Sequence, residues 1–451
     1  MFLVSVSPRG HPPIPTRKAV ITPVNVFEQL ESDVRSYCRS FPAVFQTARG
    51  SILTAVDGTR YLDFFAGAGA LNYGHNHPVI KAAVLEYLAG DGVAHALDMH
   101  TTAKAEFLTE LAQRRLRPSD LDYKVQFTGP TGANAVEAAL KLARKATGRS
   151  GIFSFMGGYH GHSLGALAAS ANREHRAAAG TVLSGVTMLP FPDGPFAATA
   201  GIDTLAYLRA LLADTHSGVE VPAAIIVETV QAEGGIFVAP VAWLRDLRAI
   251  CTEHTILLIV DDIQTGCGRT GPFFSFEGAG LVGDLRPDLV TVSKSIGGLG
   301  LPMAMVLIRP EFDVWKPAEH TGTFRGNQLA FMAGAAALRV FDEEGLAAVT
   351  AQNATFVEDR LRDDLLALDD RIAIRGRGMI WGIDYGPIDP TGALTKAIGR
   401  RCFDDGLLIE RVGRNDAVLK VLPPLTMTPD ELDEGLRIVV GATKALLDTC
   451  Q

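Results

Sequence analysis

The segment from Ala223 to Ile263 constrains the fold most. "AAIIVETV" and "ILLIVDDI" are short runs, apolar almost throughout, and "WLRDLRAICTEH" between them has apolar residues at helical spacing. A strand that is apolar on both faces is covered on both faces, as in parallel sheets flanked by helices. Two such strands joined through a helix form a βαβ unit. Helices and strands alternate from about residue 75, and "AVEAALKLARKA" supplies a further helix. The expectation from this rhythm is an α/β fold with an open parallel sheet flanked by helices.

The pattern differs toward the two ends. "GSILTAVDGTRYLDFFAG" alternates around Asp57-Gly58, which signals a hairpin. "VFEQLESDVRSYCRSF" reads as an amphipathic helix. After about residue 335, helical stretches such as "NATFVEDRLRDDLLAL" precede the short strands "IAIRGRG", "MIWGIDY" and "VLKVLPPL". The domain expectation has four parts: a flexible, proline-rich and basic tail over 1–24; one part of a small α+β domain over 25–74; a large domain over 75–335; and the rest of the small domain over 336–451.

Composition excludes some classes of function. Hydrophobic residues at 47% and charged residues at 20% describe a globular chain that buries a core. A net charge of −8 with no basic stripe argues against a nucleic-acid partner. No apolar run is long enough to span a membrane, and "MFLVSV" is too short for a signal-peptide core. The cysteines (Cys38, Cys251, Cys267, Cys402, Cys450) are scattered and show no metal-ligand spacing. Reduced thiols in a cytoplasm, with no metal, are the expectation.

Ligands of open α/β sheets bind at the carboxyl ends of the strands. Four candidate strands end in chemistry. "LVTV" leads into Ser293-Lys294, "ILLIV" into Asp261-Asp262, "AIIV" into Glu228 and "YKVQF" into Thr128-Gly129. One carboxylate after a strand is most often a helix cap or a solvated group. The combination says more. A desolvated Lys294 loses its charge and becomes an amine able to form Schiff bases with carbonyls. Gly297, Gly298 and Gly300 beside it permit close approach of a ligand. "FTGPTGANAVEAALKLAR" places a glycine-containing loop at a helix start, a phosphate site without the Walker pattern. A buried Asp261 needs a cation, and a protonated pyridine nitrogen is one. "GGYHGHS" sets Tyr159 and His160 among small residues, where an aromatic ring can lie flat on a planar ligand. A lysine amine, a carboxylate, a phosphate loop and an aromatic platform together suit pyridoxal 5'-phosphate (PLP).

The chain from about residue 25 onward resembles the class III aminotransferases, the ornithine/GABA type of PLP fold type I. "YLDFFAG", "YGHNHP", "GYHG", "VETVQAEGG", "LLIVDDIQTGCGRTG", "VSKSIGG" and "GTFRGN" occur in family order. Within the family the likeness is greatest to diaminobutyrate–2-oxoglutarate aminotransferases, including those of ectoine biosynthesis. It rests on "FEQLESDVRSYCRSFP", "FFAGAGALNYGHNHP", "KVQFTGPTGANAVEAALKLARK" and "LIRPEFDVWKPAEHTGTFRGN".

The resemblance makes the expected sheet mixed, mostly parallel, and implies roles. Lys294 is the cofactor-bearing lysine and general base, and Asp261 pairs with the pyridine nitrogen. Gln264 bonds the ring oxygen, and Ile263 and Tyr159 take the two ring faces, with His160 beside Tyr159. Thr131, Gly132 and Ala133 hold the phosphate, Glu228 lies near the cofactor's polar edge, and Thr323 reaches the cofactor of a neighbouring subunit. A homodimer or higher oligomer with sites at the interface is therefore expected. So is transfer of the amino group of L-glutamate to L-aspartate 4-semialdehyde, giving L-2,4-diaminobutyrate and 2-oxoglutarate by ping-pong kinetics. The alternatives are a class III enzyme with another ω-amino donor, such as ornithine, GABA or a β-amino acid, and an aminomutase on the same scaffold. A Rossmann dehydrogenase is excluded, because no Gly-x-Gly-x-x-Gly closes a first βα turn ahead of a suitably spaced acidic residue.

Three positions depart from the family pattern. Asp261-Asp262 replaces Asp-Glu, and "PTGAN" replaces Asn-Ser-Gly-Ser-Glu. Lys420 in "LKVLPPL" stands where many members have an arginine for the substrate carboxylate. Lysine is a point charge without the guanidinium fork. Lys420 is the substrate-binding candidate, with Arg269 and Arg325 as unassigned cations whose plainer reading is structural.

Overall fold

Seven strands form the central sheet, in the order Lys124–Phe127, Met305–Ile308, Leu289–Val292, Leu257–Asp261, Ala224–Val227, Ile152–Phe155 and Val186–Leu189. The structure, a computed structural model, describes residues 23–448. Expectations on residues 1–22 and on Cys450 lie outside the described residues. Strand 257–261 pairs in parallel with both neighbours, and 152–155 likewise. Strand 305–308 is antiparallel to both of its neighbours, so it alone of the seven runs against the rest.

The period-two alternation of a strand decides what each side chain meets. Leu258 and Val260 join one apolar core with Phe155, Val227, Val290 and Val292. Leu257 and Ile259 join another with Ile226, Leu289 and the buried face of helix Gly132–Thr147. Both faces of the sheet are thus covered, which explains the apolar runs. A strand with no apolar side chain to bury at its end turns out of the sheet. Glu228, Lys294 and the 128–131 loop follow their strands in this way, and Asp261 closes its own.

The C-terminal part carries an antiparallel sheet in the order Ala373–Arg377, Ile380–Asp384, Val418–Val421, Glu410–Val412. Helices Leu346–Leu366, Ala393–Asp404 and Pro429–Leu447 contribute to its apolar core with Trp381, Ile383, Leu419 and Val421. The expected hairpin forms from Ile52–Ala55 and Arg60–Asp63, and the Asp57 carboxylate accepts from the Thr59 N–H at 3.0 Å. Strand Leu407–Leu408 adds to it in parallel through Leu62 and Asp63. Among the described residues no helix is long and apolar enough to cross a membrane.

Among the described residues, those from Gln46 onward make one compact unit, and those up to Phe45 make another. In the latter, helix Pro23–Leu30 ends early, and only a turn at Tyr37–Ser40 follows. The single helix expected over Val26–Phe41 is therefore corrected to two pieces. Ser32 competes for the backbone: its hydroxyl oxygen accepts from the Val34 N–H at 3.4 Å, and its carbonyl accepts from Arg35. Leu30 and Val34 are largely exposed, so no packing restores the missing turns.

Candidate active site

The parallel strands present their carboxyl ends along one edge of the sheet, and the predicted residues gather there. Lys294 opens the turn after strand 289–292 with φ at +55°, in the left-handed region. That region costs a residue with a Cβ about 1–2 kcal/mol and recurs where a site dictates the backbone. Its amine makes no hydrogen bond or salt bridge among the described residues. Burial pushes its pKa down to about 8; Glu233 opposes the shift and Lys420 reinforces it. A large share of the amine is therefore uncharged in mildly alkaline solution.

Asp261 is 4% exposed. Its Oδ1 accepts from Thr291 Oγ1 at 2.9 Å and from the Ile263 N–H at 3.3 Å, and its Oδ2 meets His160 Nδ1 at 2.7 Å. Burial alone would lower the His160 pKa. The bond to Asp261 and the charges of Asp261 and Glu228 outweigh it, and the imidazole is raised. Glu228 accepts from the Tyr159 N–H at 2.8 Å and the Ala232 N–H at 3.3 Å. Burial raises its carboxyl to about 7. Burial likewise raises the Tyr159 hydroxyl to about 12, so it stays protonated.

Helix Gly132–Thr147 begins at this edge with Thr131 as its N-cap, closed by a capping box with Asn134. The N–H groups of its first turn, those of Gly132 and Ala133 among them, have no partner inside the helix. A Cβ on Gly132 would come within 2.9 Å of Ile263, and one on Gly161 within 2.6 Å of Ala133. Small residues thus let the 157–163 loop and Ile263 close on the helix start. Thr131→Ala is expected to cost about 1 kcal/mol through loss of the cap. Chemical denaturation reads this as a lower midpoint, and an unmoved midpoint would show the cap to be dispensable.

Lys420 is fully buried, and its ammonium is engaged. Nζ lies 2.6 Å from Glu233 Oε1, 2.8 Å from Glu410 Oε2 and 3.1 Å from Gln264 Oε1. Gln264 Nε2 donates to Glu233 at 3.1 Å, so the amide faces this cluster. Burial pulls the Lys420 pKa down, but the two carboxylates raise it overall. Burial would raise Glu233, yet Lys420 and Lys294 hold it down at about 2. Reading the sequence missed both glutamates. The signal was present: Glu233 is the one charge in "VQAEGGIFV", and Glu410 directly follows the apolar "LLI".

Thr323 is exposed, and its carbonyl accepts from His95 Nε2 at 2.9 Å. It is not among the groups gathered around Lys294. Arg269 is fully buried and donates to the carbonyls of Met379 and Pro423 and to Asn72 Oδ1. Arg325 pairs with Asp98 and donates to the His320 carbonyl. Both arginines tie segments of the chain together.

These groups fit PLP on the chemistry of the donor set. An unpaired amine, a buried carboxylate and a helix start offering N–H groups lie at one sheet edge.

Residues 35–443 match the family described as Aminotransferase class-III. A "Diaminobutyrate--2-oxoglutarate transaminase" of Nocardia farcinica (strain IFM 10152) is 53% identical over 422 residues, covering 93% of each chain. One of the same name from Streptomyces anulatus is 52% identical, covering 94% of this chain and 99% of its own. Among solved structures, an amine transaminase from an uncultivated Pseudomonas species in its PLP-bound form superposes with a TM-score of 0.80 at 26% identity, covering 94% of this chain and 98% of its own. The strands that end in Lys294 and Asp261, and the helix that starts at Gly132, all lie within the matched residues, and the chain belongs to the class III aminotransferases.

Proposed function

We propose that this enzyme moves the amino group of L-glutamate to L-aspartate 4-semialdehyde, giving 2-oxoglutarate and L-2,4-diaminobutyrate. The observation that carries the reading is identity of about half, over more than nine-tenths of the chain, to relatives bearing that activity in their names. Bound PLP supplies a carbonyl for the amino group and an electron-accepting ring. The chain's residues do the rest. Lys294, with its lowered pKa, holds the carbonyl carbon and moves the proton at the substrate carbon. Asp261 holds a proton on the ring nitrogen, and His160 and Thr291 fix its carboxylate. Thr131, Gly132 and Ala133 bind the phosphate. Tyr159 and Ile263 take the ring faces, and Gln264 and Glu228 its polar edge.

Lys420 and Glu233 reconcile the two substrates. Glutamate carries a carboxylate on the carbon that bears its amine, whereas the amine-bearing carbon 4 of diaminobutyrate has a hydrogen in that place. For glutamate, the substrate carboxylate takes the place of Glu233 on Lys420 Nζ. For diaminobutyrate, Glu233 stays and keeps the lysine paired. Its side chain is 27% exposed, which gives it a path to water.

The reading extends to assembly, domains and location. Thr323 serves the phosphate of a second copy in a homodimer in the cytoplasm, and its exposure supports that role. Residues 75–335 form a large domain, with 25–74 and 336–451 as a small one. The separate apolar core around Trp381 and the pairing of strand 407–408 with strand 60–63 support the division. The product suits ectoine synthesis.

Titrating the holoenzyme with L-2,4-diaminobutyrate is expected to abolish the visible absorbance of the lysine-bound cofactor quickly, and with ornithine or GABA slowly. The reverse order would keep the family and replace the substrate.

A further inference from the structure

We propose that Glu410 is a positioning residue that keeps the buried Lys420 charged while Glu233 is displaced, and so lets a lysine act as the substrate-carboxylate clamp. The proposal rests on the functional reading above.

Glu410 and Lys420 are direct partners across the antiparallel pair formed by 410–412 and 418–421. Cross-strand partners share a face. Leu419 and Val421 point into the apolar core with Trp381, so Lys420 points the other way. On that face Val412, Val418 and Leu422 pack against Val230, Ala232 and Ile236. Lys420's partner on the other neighbouring strand is Gly382, which has no side chain. The charged groups facing Nζ are therefore Glu410 from the adjacent strand, Glu233 from the 230–236 segment and Lys294 from the turn after 289–292. Helix 393–404 buries Leu394, Thr395, Ile398, Cys402 and Phe403, and the one titratable group among them, the Cys402 thiol, is pushed up by burial and stays neutral near neutral pH.

The two carboxylates are not equivalent. Glu410 is 8% exposed on a paired strand, whereas Glu233 is 27% exposed in a loop. Glu233 is the one that can leave. Once it does, Nζ keeps Glu410 and the Gln264 oxygen. Without Glu410, between the departure of Glu233 and the arrival of the substrate carboxylate, it would keep one neutral amide oxygen, in a fully buried position, with Lys294 nearby. A buried lysine in that state gives up its proton. Arginine would not, because a guanidinium stays charged in any such setting. A second glutamate thus answers a problem that the lysine creates.

The experiment follows each half-reaction of the holoenzyme separately by cofactor absorbance, with L-glutamate and with L-2,4-diaminobutyrate, across mildly alkaline pH. In E410Q the glutamate half-reaction is expected to fall about tenfold per pH unit above a new, lower pKa. The diaminobutyrate half-reaction should fall much less. Adding K420R to E410Q should return the glutamate profile to its native shape. If E410Q keeps no cofactor, K420R and K420R/E410Q are compared, and their profiles should coincide. A native glutamate profile in E410Q, an equal fall of both half-reactions, or profiles that differ between the two arginine variants would overturn the role of Glu410. Failure of the native enzyme to react with diaminobutyrate would instead overturn the functional reading.

Discussion

Lys294→Ala is expected to abolish amino-group transfer, with turnover down by about 10⁴-fold or more, since it removes the proposed covalent anchor and proton carrier together. The visible band of the lysine-bound cofactor disappears with it. The fold should survive. The amine that is lost has no partner and is desolvated, so its removal relieves a burial cost. The left-handed backbone at +55° remains a strain for alanine, as it is for lysine. Thermal unfolding close to native, together with lost turnover, is the expected pair of results. A variant that retained more than about a hundredth of native activity would remove Lys294 from the chemistry, because a general base alone contributes 10²–10⁴-fold.

Asp261→Asn lowers both half-reactions by about 10³-fold, within the range seen when a preorganised electrostatic partner is lost. Asparagine keeps the size of the side chain and an oxygen for Thr291 but removes the charge that holds a proton on the ring nitrogen. It also removes the anion beside His160, and burial then pulls that imidazole down. The loss should be similar for glutamate and diaminobutyrate, because the ring nitrogen serves both. Single-turnover kinetics with each substrate check this. Rates within tenfold of native would assign Asp261 to packing alone.

These two losses differ in kind from that expected at Glu410. In the roles proposed for them, Lys294 and Asp261 act on the cofactor, so both half-reactions would feel them. Glu410, in the role proposed for it, acts on the clamp for a carboxylate that only one substrate would place there.

The site was legible in the sequence to the extent that it sits on strand ends. Strand 257–261 alternates between two cores and then meets Asp261, and strand 289–292 is apolar until Ser293-Lys294. A run that stops being apolar where the sheet ends exposes its next residues to the ligand edge. The proposed phosphate loop was legible for a related reason. Thr131, Gly132 and the amphipathic "AVEAALKLARKA" are all local to one helix start. The N-terminal helix was misread because its periodicity is real but nothing in its own unit buries it, and the Ser32 hydroxyl then breaks it.

By itself, then, the sequence determined the sheet, the lysine, the carboxylate and the helix start, because each follows from periodicity over a few neighbouring residues. It also showed an odd lysine at 420. The tertiary structure alone decided what surrounds that lysine. Register places Glu410 opposite it on the adjacent strand, Gly382 on its other side has no side chain and Ile236 packs over it, and the 230–236 segment brings in Glu233 from 187 residues away in the chain. Pairing of that kind depends on how strands distant in the chain align, and no local pattern encodes it.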